Sequence, residues 1–306
     1  MWKRWLASSG SRSPFVLMPL LLMMWGSLAA VSKLLLGNLD SYQVMFYMYG
    51  FGVVIFWAML RSRVNWRAAL TWRTGEAALL FACGALTFLY DFFYLKSLER
   101  IPAVEASMLN YLFPIFIVLF AIPMHGEKMN RYKAASVLMG AAGTALLVTE
   151  GQLGSFAFTD LEGDAYAVAA AVSWGLFTNL VKKNRQDLML STIAITAVAF
   201  ALSAGALLLS SRFVLPRSGD LYGVLWLSVS NIVLGFLLYF RALKYASASL
   251  VASFTFFTPF VTLLFIVLLL DERLTAIDAA AAALIILSVP LQKLGERARQ
   301  GVSSLY

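Results

Sequence analysis

The chain has 306 residues, of which 61% are hydrophobic and 13% charged, and it carries a formal net charge of +8. Soluble domains contain about 25% charged residues, so this composition excludes an ordinary soluble globular protein. The basic residues fall in loops between apolar stretches, so the positive charge indicates a lipid bilayer rather than a nucleic acid as the partner.

Ten apolar stretches are long enough to cross a bilayer, whose hydrocarbon core takes about 20 helical residues. The runs are continuous rather than alternating, which favours helices over barrel strands. We predict spans over residues 15–36, 42–60, 76–95, 103–124, 132–148, 165–181, 191–211, 222–243, 249–270 and 277–291. The expected fold class is an all-α membrane protein with ten transmembrane helices.

The second half of the chain repeats the first. Residues 94–98, Tyr-Leu-Lys-Ser-Leu, return as residues 239–243, Tyr-Phe-Arg-Ala-Leu, displaced by 145 positions. Five predicted spans separate the copies, and this odd number turns the second copy upside down in the membrane. Inverted repeats that meet at a central site are the architecture of alternating access, so the sequence predicts a transporter.

The first helix of each repeat confirms the pairing at a slightly different offset. Trp25 and Lys33 return as Trp174 and Lys182, displaced by 149 positions, which places an insertion in one loop. We divide the chain into an N-terminal tail (1–13), a first five-helix repeat (14–150), an inverted second repeat (151–294) and a C-terminal tail (295–306).

The distribution of Lys and Arg predicts the orientation of the spans. With the N-terminus in the cytoplasm, 18 of the 24 basic residues lie on the cytoplasmic side. The positive-inside rule therefore predicts a multi-pass protein of the inner (plasma) membrane with both termini cytoplasmic. A cleaved signal peptide is the alternative for the first helix, but the apolar run continues to Leu36, beyond the usual length of such a signal.

Several motifs are missing from the sequence. It contains no Gly-x-x-x-x-Gly-Lys-[Ser/Thr] stretch for ATP, no His/Cys/Asp/Glu cluster at metal-ligand spacing, and a single histidine, His125. We therefore expect no catalytic residue, no metal and no cofactor. The protein is predicted not to be an enzyme, and any driving energy must come from gradients.

Proline occurs at matching positions in the fourth helix of each repeat. Pro114 and Pro259 lie mid-span, where a missing N–H and a ring clash kink or loosen a helix. A simple packing kink is the alternative, but the repetition favours a paired hinge or cavity wall. Helices five and ten are rich in Ala and Gly, which suits close helix approach, so we expect them to be peripheral supports or a homo-oligomer contact.

These features resemble the EamA repeats of the drug/metabolite transporter superfamily. The resemblance rests on two five-helix repeats, on Trp in the first helix of each, and on Glu127-Lys128 and residues 271–275, Asp-Glu-Arg-Leu-Thr, closing helices four and nine. Residues 110–114 and 256–259 further resemble signatures of aromatic amino acid exporters of the YddG type. The resemblance implies a ten-helix basket in which helices one to four and six to nine enclose a substrate cavity, with five and ten outside.

One acid, Asp91, lies well inside the third predicted span. An isolated acid there costs about 2.5–3.5 kcal/mol on insertion scales, so it should face the protein interior. It could bind a substrate amine or a proton. Alternatively it could be structural, in an ion pair with Lys33 or in a shell of hydroxyls near the outer mouth.

A set of aromatic and amide side chains inside the spans could form the wall of the cavity. Aromatic faces stack flat rings or hold cations, and amides bind carboxylates or amines. The expected substrate-binding residues, besides Asp91, are Trp25, Tyr90, Tyr94, Tyr111, Trp174, Tyr239 and Phe256, with Asn110, Asn179 and Asn231.

The sequence therefore predicts a secondary transporter with a small-molecule substrate. An exporter of small amphipathic metabolites is the first hypothesis, with aromatic amino acids suggested by the resemblance. An uptake carrier for choline-like quaternary amines would use the same aromatic walls, with Asp91 as the counter-charge. A membrane sensor or accessory subunit that transports nothing is the third hypothesis.

Overall fold

The computed structural model describes residues 14–60, 72–127, 129–148, 160–246, 251, 254–255, 257–270, 275–277, 279–284, 287 and 291. Every regular element in these ranges is a helix. The helices are α1 (Pro14–Gly26), α2 (Leu28–Leu35), α3 (Ser41–Leu60), α4 (Thr74–Arg100), α5 (Ala103–Asn110), α6 (Phe113–His125), α7 (Arg131–Val148), α8 (Leu161–Lys182), α9 (Leu188–Ser210), α10 (Ser218–Leu227), a π-helix (Ser228–Val233), α11 (Leu234–Tyr245) and α12 (Thr258–Leu270).

Six continuous helical stretches in the described part are long and apolar enough to cross a membrane. They are Val16–Leu35, Ser41–Met59, Thr74–Arg100, Ala103–His125, Leu188–Ser210 and Ser218–Tyr245. Helices α7 and α8 fall on two further predicted spans but are less apolar, since Ala, Gly and terminal charges replace larger apolar residues. The predicted ninth and tenth spans are described only in part.

Three of the predicted spans are interrupted. The first is divided at Ser27, whose hydroxyl donates to Met24 O at 2.8 Å, an alternative to regular helix pairing. The fourth breaks at Tyr111 and Leu112, just before Pro114, which has no N–H to donate. The eighth contains the π-helix, in which Leu234 N donates to Val229 O, five residues back.

Each repeat inserts its first helix against the third and fourth helices of the other. Helix α8 packs on α4, α5 and α6, while α1 packs on α11 and α12. Glycine allows the closest approach in both places. A Cβ on Gly26 would lie 2.4 Å from Val261 Cγ1, and a Cβ on Gly175 would lie 2.5 Å from Phe116 Cβ.

Two repeated lysines fix the ends of these contacts. Lys33 Nζ donates to Leu98 O at 2.6 Å and to Ile101 O at 3.0 Å, at the C-terminus of α4. Lys182 Nζ donates to Leu243 O at 3.1 Å and to Ala246 O at 2.6 Å, at the C-terminus of α11. A cation bound to the last carbonyls of a helix satisfies acceptors that have no partner within the helix. The two repeats thus exchange equivalent contacts.

Candidate functional site

A cavity lies where the two repeats meet, enclosed by the first, third and fourth helices of each. Its volume is about 40 Å³, room for about three water molecules. Eight of the residues expected from the sequence line it together: Trp25, Tyr90, Asp91, Tyr94, Asn110, Tyr111, Trp174 and Asn231. Among the described residues that line it, Asp91 carries the charge and none is basic.

The repeated tryptophans meet at the centre of this cavity. The rings of Trp25 and Trp174 lie edge to face, with centroids 5.3 Å apart. Trp25 packs on Tyr239 at 4.9 Å, and Trp174 packs on Tyr90 at 4.7 Å. Aromatic pairs at these separations stabilise each other beyond their buried area. The result is a wall of ring faces contributed by both repeats.

The two repeats supply different side chains at equivalent positions of this wall. Tyr90 corresponds to Gly235, and Asp91 to Phe236, at the offset of 145. A Cβ on Gly235 would lie 2.8 Å from Trp25 Nε1, so the missing side chain makes room for that indole. Because Phe236 replaces the acid in the second repeat, the cavity is charged on the side of α4 and apolar on the side of α11.

Asp91 is buried and accepts a hydrogen bond from the Tyr49 hydroxyl of α3. That hydroxyl also lies 3.3 Å from Thr87 O, so a single proton has two acceptors within reach. The expected ion pair between Asp91 and Lys33 is not formed, because Lys33 binds the end of α4 instead, and the acid has a hydroxyl partner, as in the other structural alternative. The acid therefore stands in the cavity with a neutral partner.

Amide and hydroxyl groups around the cavity keep unused capacity for hydrogen bonds. Asn110 Nδ2 donates to the Tyr90 hydroxyl at 3.2 Å, and Asn231 Nδ2 donates to Ser230 Oγ at 2.9 Å. The Oδ1 atoms of both asparagines and the Thr258 hydroxyl are buried without a partner in the described part of the chain. Since buried polar groups are rarely left unsatisfied, these atoms are available to a ligand or to water.

Two of the expected residues that the structure describes do not line the cavity. Asn179 lies behind it, where Nδ2 donates to Ile117 O and to Gly175 O, both at 2.9 Å, and joins α8 to α6. Tyr239 supports Trp25, and its hydroxyl lies 2.8 Å from Thr178 Oγ1. Phe256 lies outside the described residues.

Sequence reasoning missed several residues of the site. No sequence pattern distinguishes Tyr49, Phe113 and Phe236 from the many other aromatic residues of the spans. Thr258 and Thr262 are four residues apart, on one helical face beside Pro259, a spacing that could have been noticed. The Thr262 hydroxyl hydrogen bonds with that of Tyr111 and so joins the fourth helices of the two repeats.

Both halves of the chain match the same protein-family model. The model of the EamA-like transporter family matches residues 13–149 and again residues 161–291. The chain belongs to this family. EamA-like proteins are membrane transporters of the drug/metabolite transporter superfamily, and the two matched segments correspond to the two repeats seen in the sequence and in the contacts.

Relatives of this EamA-like transporter are themselves named as transporters. An uncharacterized transporter of Archaeoglobus fulgidus is 27% identical over 84% of this chain and 89% of its own length. The aromatic amino acid exporter YddG of Ancylobacter novellus is 27% identical over 64% of this chain and 69% of its own. The pseudopaline exporter CntI of Pseudomonas aeruginosa is 24% identical over 70% and 72%. A solved crystal structure at 24% identity covers 94% of this chain and 98% of its own with a TM-score of 0.75, which shows the shared fold.

One rim of this EamA-like transporter is acidic. Asp160 caps α8 and pairs with Arg100, Nε to Oδ2 at 2.9 Å, and this guanidinium holds the pKa of Asp160 below its usual range. One turn later, both carboxylate oxygens of Asp164 are buried without a hydrogen-bond donor in the described structure. Burial and the neighbouring Glu105 carboxylate raise the pKa of Asp164 to about 7.

Proposed function

We propose that the protein is a secondary transporter of the inner membrane that exports small amphipathic metabolites, with aromatic amino acids as the leading substrate class. The proposal includes ten spans arranged in two inverted repeats, with both termini in the cytoplasm. The cavity between the repeats would open alternately to either side as the halves rock. A gradient, rather than ATP, would drive net movement.

The observation that carries the proposal is the aromatic cavity with one acid and no basic residue in its described lining. Trp25, Tyr90 and Trp174 present ring faces on which a flat substrate ring can stack. Asp91 is positioned to attract an ammonium group, while the free amide oxygens of Asn110 and Asn231 accept hydrogen bonds from it. An amine attached to an apolar ring fits both parts.

The small volume of the central cavity indicates a conformation in which the substrate site is contracted. Pockets for small molecules measure about 300–1,000 Å³, far more than the roughly 40 Å³ found here. A substrate would therefore require the repeats to move apart. The break at Tyr111–Leu112 provides a point at which the fourth helix of the first repeat could bend, and Pro259, the second residue of α12, would be its counterpart in the second repeat.

The names of the relatives support export as the direction. YddG is named for aromatic amino acids and CntI for pseudopaline, two different cargoes on related chains. Uptake of quaternary amines is the second candidate, favoured by the same acid and ring faces, because cations bind over aromatic rings. Formation of a homo-oligomer through α7 and the tenth span stays a prediction. The hypothesis of a membrane sensor or accessory subunit that transports nothing also stays open to test.

The test is transport by the purified protein in liposomes. Vesicles loaded with buffer are given phenylalanine, tryptophan, choline or alanine, each radiolabelled, and the trapped label is counted. We expect saturable movement of phenylalanine and tryptophan, with alanine and protein-free vesicles as controls. Saturable movement of choline alone would support the amine carrier, and movement of none of the four would contradict the proposal.

A further inference from the structure

A second and much larger cavity lies at the other end of α8 from the acidic rim. It measures about 560 Å³ and is enclosed by the ends of α6, α8 and α11 and by the loop that leads into α9. Lys182, Lys183, Arg185 and Lys244 line it, and no acidic side chain does so in the described structure. The topology predicted from the sequence places this end in the cytoplasm.

Most of these cations are not used to hold the fold together. Lys182 is committed to the carbonyls at the end of α11. Lys183, Arg185 and Lys244 are exposed and form no ion pair within the described ranges. Nε2 of His125 is buried at the cavity without a partner there. The Glu127 carboxylate acts on Lys182, so the cations without an acidic partner in the described structure are Lys183, Arg185 and Lys244. Positive charge of this kind in a concave site concentrates anions.

The charge is not a consequence of the repeated fold. Lys183 and Arg185 correspond to Leu34 and Leu36 at the offset of 149, and Lys244 corresponds to Glu99 at the offset of 145. At these three positions the first repeat, in the part that the structure describes, is thus apolar or acidic. The basic mouth belongs to the second repeat.

Packed phenylalanines form a layer that connects the lining of this basic cavity to that of the central one. Phe236 lines the central cavity and Phe240 lines the basic one, and their rings stack with centroids 5.4 Å apart. Phe177 covers both, at 6.3 Å from Phe236 and 5.9 Å from Phe240. All three side chains are buried. Movement of these rings would join the two cavities.

We infer that the basic cavity is a vestibule that binds the carboxylate of an amphipathic substrate before the substrate crosses the phenylalanine layer into the central cavity. The inference rests on the transport function proposed above. Arg185 and Lys244 attract the carboxylate, and Phe240 with Leu243 offers an apolar floor to the ring. The carboxylate and the amine of one substrate then meet opposite charges in turn, first the basic mouth and later Asp91.

The test compares substrates with and without a carboxylate. Phenylalanine is added on the side of the basic cavity. In the double variant Arg185→Gln/Lys244→Gln we expect its KM to rise about tenfold, with an unchanged maximal rate. The KM for phenylalanine amide, which lacks the carboxylate, should not rise, and the KM for phenylalanine should lose its dependence on salt. Arg212→Gln/Arg217→Gln removes the same charge at the opposite end of α9 and should change neither KM.

Binding provides a readout that does not need transport. Phenylacetate should raise the thermal unfolding temperature of the solubilised wild-type protein, and the Arg185→Gln/Lys244→Gln variant should lose this shift. If the wild type moves no substrate but phenylacetate still binds through Arg185 and Lys244, the transport proposal fails and the anion site stands. If phenylalanine is transported and its KM is the same in the wild type and in Arg185→Gln/Lys244→Gln, the vestibule is refuted. A defect seen only in vesicles containing anionic phospholipid would also refute it, because the cavity would then hold a lipid headgroup.

Discussion

Asp91 shows at the scale of one residue what a sequence can and cannot predict. Its position inside an apolar span indicates that it faces the protein interior, because lipid would not tolerate it. Its partner depends on the relative rotation of α3 and α4, which no local pattern encodes. The partner is the hydroxyl of Tyr49 rather than Lys33, so no basic side chain of the described structure competes with a substrate amine for this carboxyl group.

Replacing Asp91 by Asn should weaken binding of substrates that carry an amine. The loss of a charged hydrogen bond, worth about 1.5–3 kcal/mol, corresponds to a rise in KM of about 10- to 150-fold. Indole-3-propionate, which has a ring but no amine, should show little change. Tyr49→Phe is the matched control, since it removes the hydrogen bond and keeps the charge, and we expect a smaller rise. Equal effects of Asp91→Asn on both kinds of substrate would contradict an amine site.

Asp164 should make the protein less stable as the pH rises. Its pKa is 3.8 in an exposed chain and about 7 in the fold, so the folded state holds more protons between these values. The free energy of unfolding therefore falls from about pH 4 to pH 7 and is constant above. Asp164→Asn should remove this fall in thermal unfolding scans.

Asp160 provides the opposite sign for comparison. Its lowered pKa means that its ion pair with Arg100 stabilises the fold above the unfolded pKa and is lost as the pH falls. Asp160→Asn should therefore flatten the acidic end of the same scans and leave the fall between pH 4 and pH 7 in place. A wild-type slope in Asp164→Asn would show that this carboxyl does not titrate as inferred.

At the scale of an element, some helix interruptions could be predicted from the sequence and others could not. The break before Pro114 was predictable, because proline removes a specific donor and clashes with the preceding turn. The break at Ser27 and the π-helix at 228–233 were not, since Ser is common within spans and one extra residue in a turn leaves no mark on composition. Both lie beside the cavity, where Trp226 Nε1 donates to Ser27 Oγ at 2.8 Å.

Pro114→Ala should slow transport while the protein remains folded. Restoring the N–H would allow a continuous fourth helix and stiffen the segment that bends, so we expect turnover to fall by about three- to tenfold. Pro259→Ala should behave in the same way. Pro123→Ala is the control, because this exposed proline lies inside α6, two residues from its end. Unchanged turnover in both hinge variants would leave the prolines as packing features.

The whole molecule was the most predictable level. Two offsets in the sequence, 145 and 149, indicated which residues would be equivalent, and the contacts follow them at Trp25 and Trp174 and at Lys33 and Lys182. The exchange of contacts between repeats was implied by that equivalence. The differences between repeats, such as Phe236 in place of Asp91, define the chemistry of the site and had to be located in space.

The proposed inverted arrangement predicts that the two lysine contacts, which are equivalent in the fold, lie at opposite faces of the membrane. In a Cys83→Ala background, single cysteines at Ser8 and Arg67 should react with an impermeant maleimide only after the cytoplasmic side is opened. Cysteines at Ser155 and Ser218 should react from outside in intact cells, because 18 of 24 basic residues place those loops there. A cysteine at Ser155 protected together with one at Arg67 would mean that the repeats are parallel, and rocking about an axis in the membrane plane could not then expose the cavity alternately.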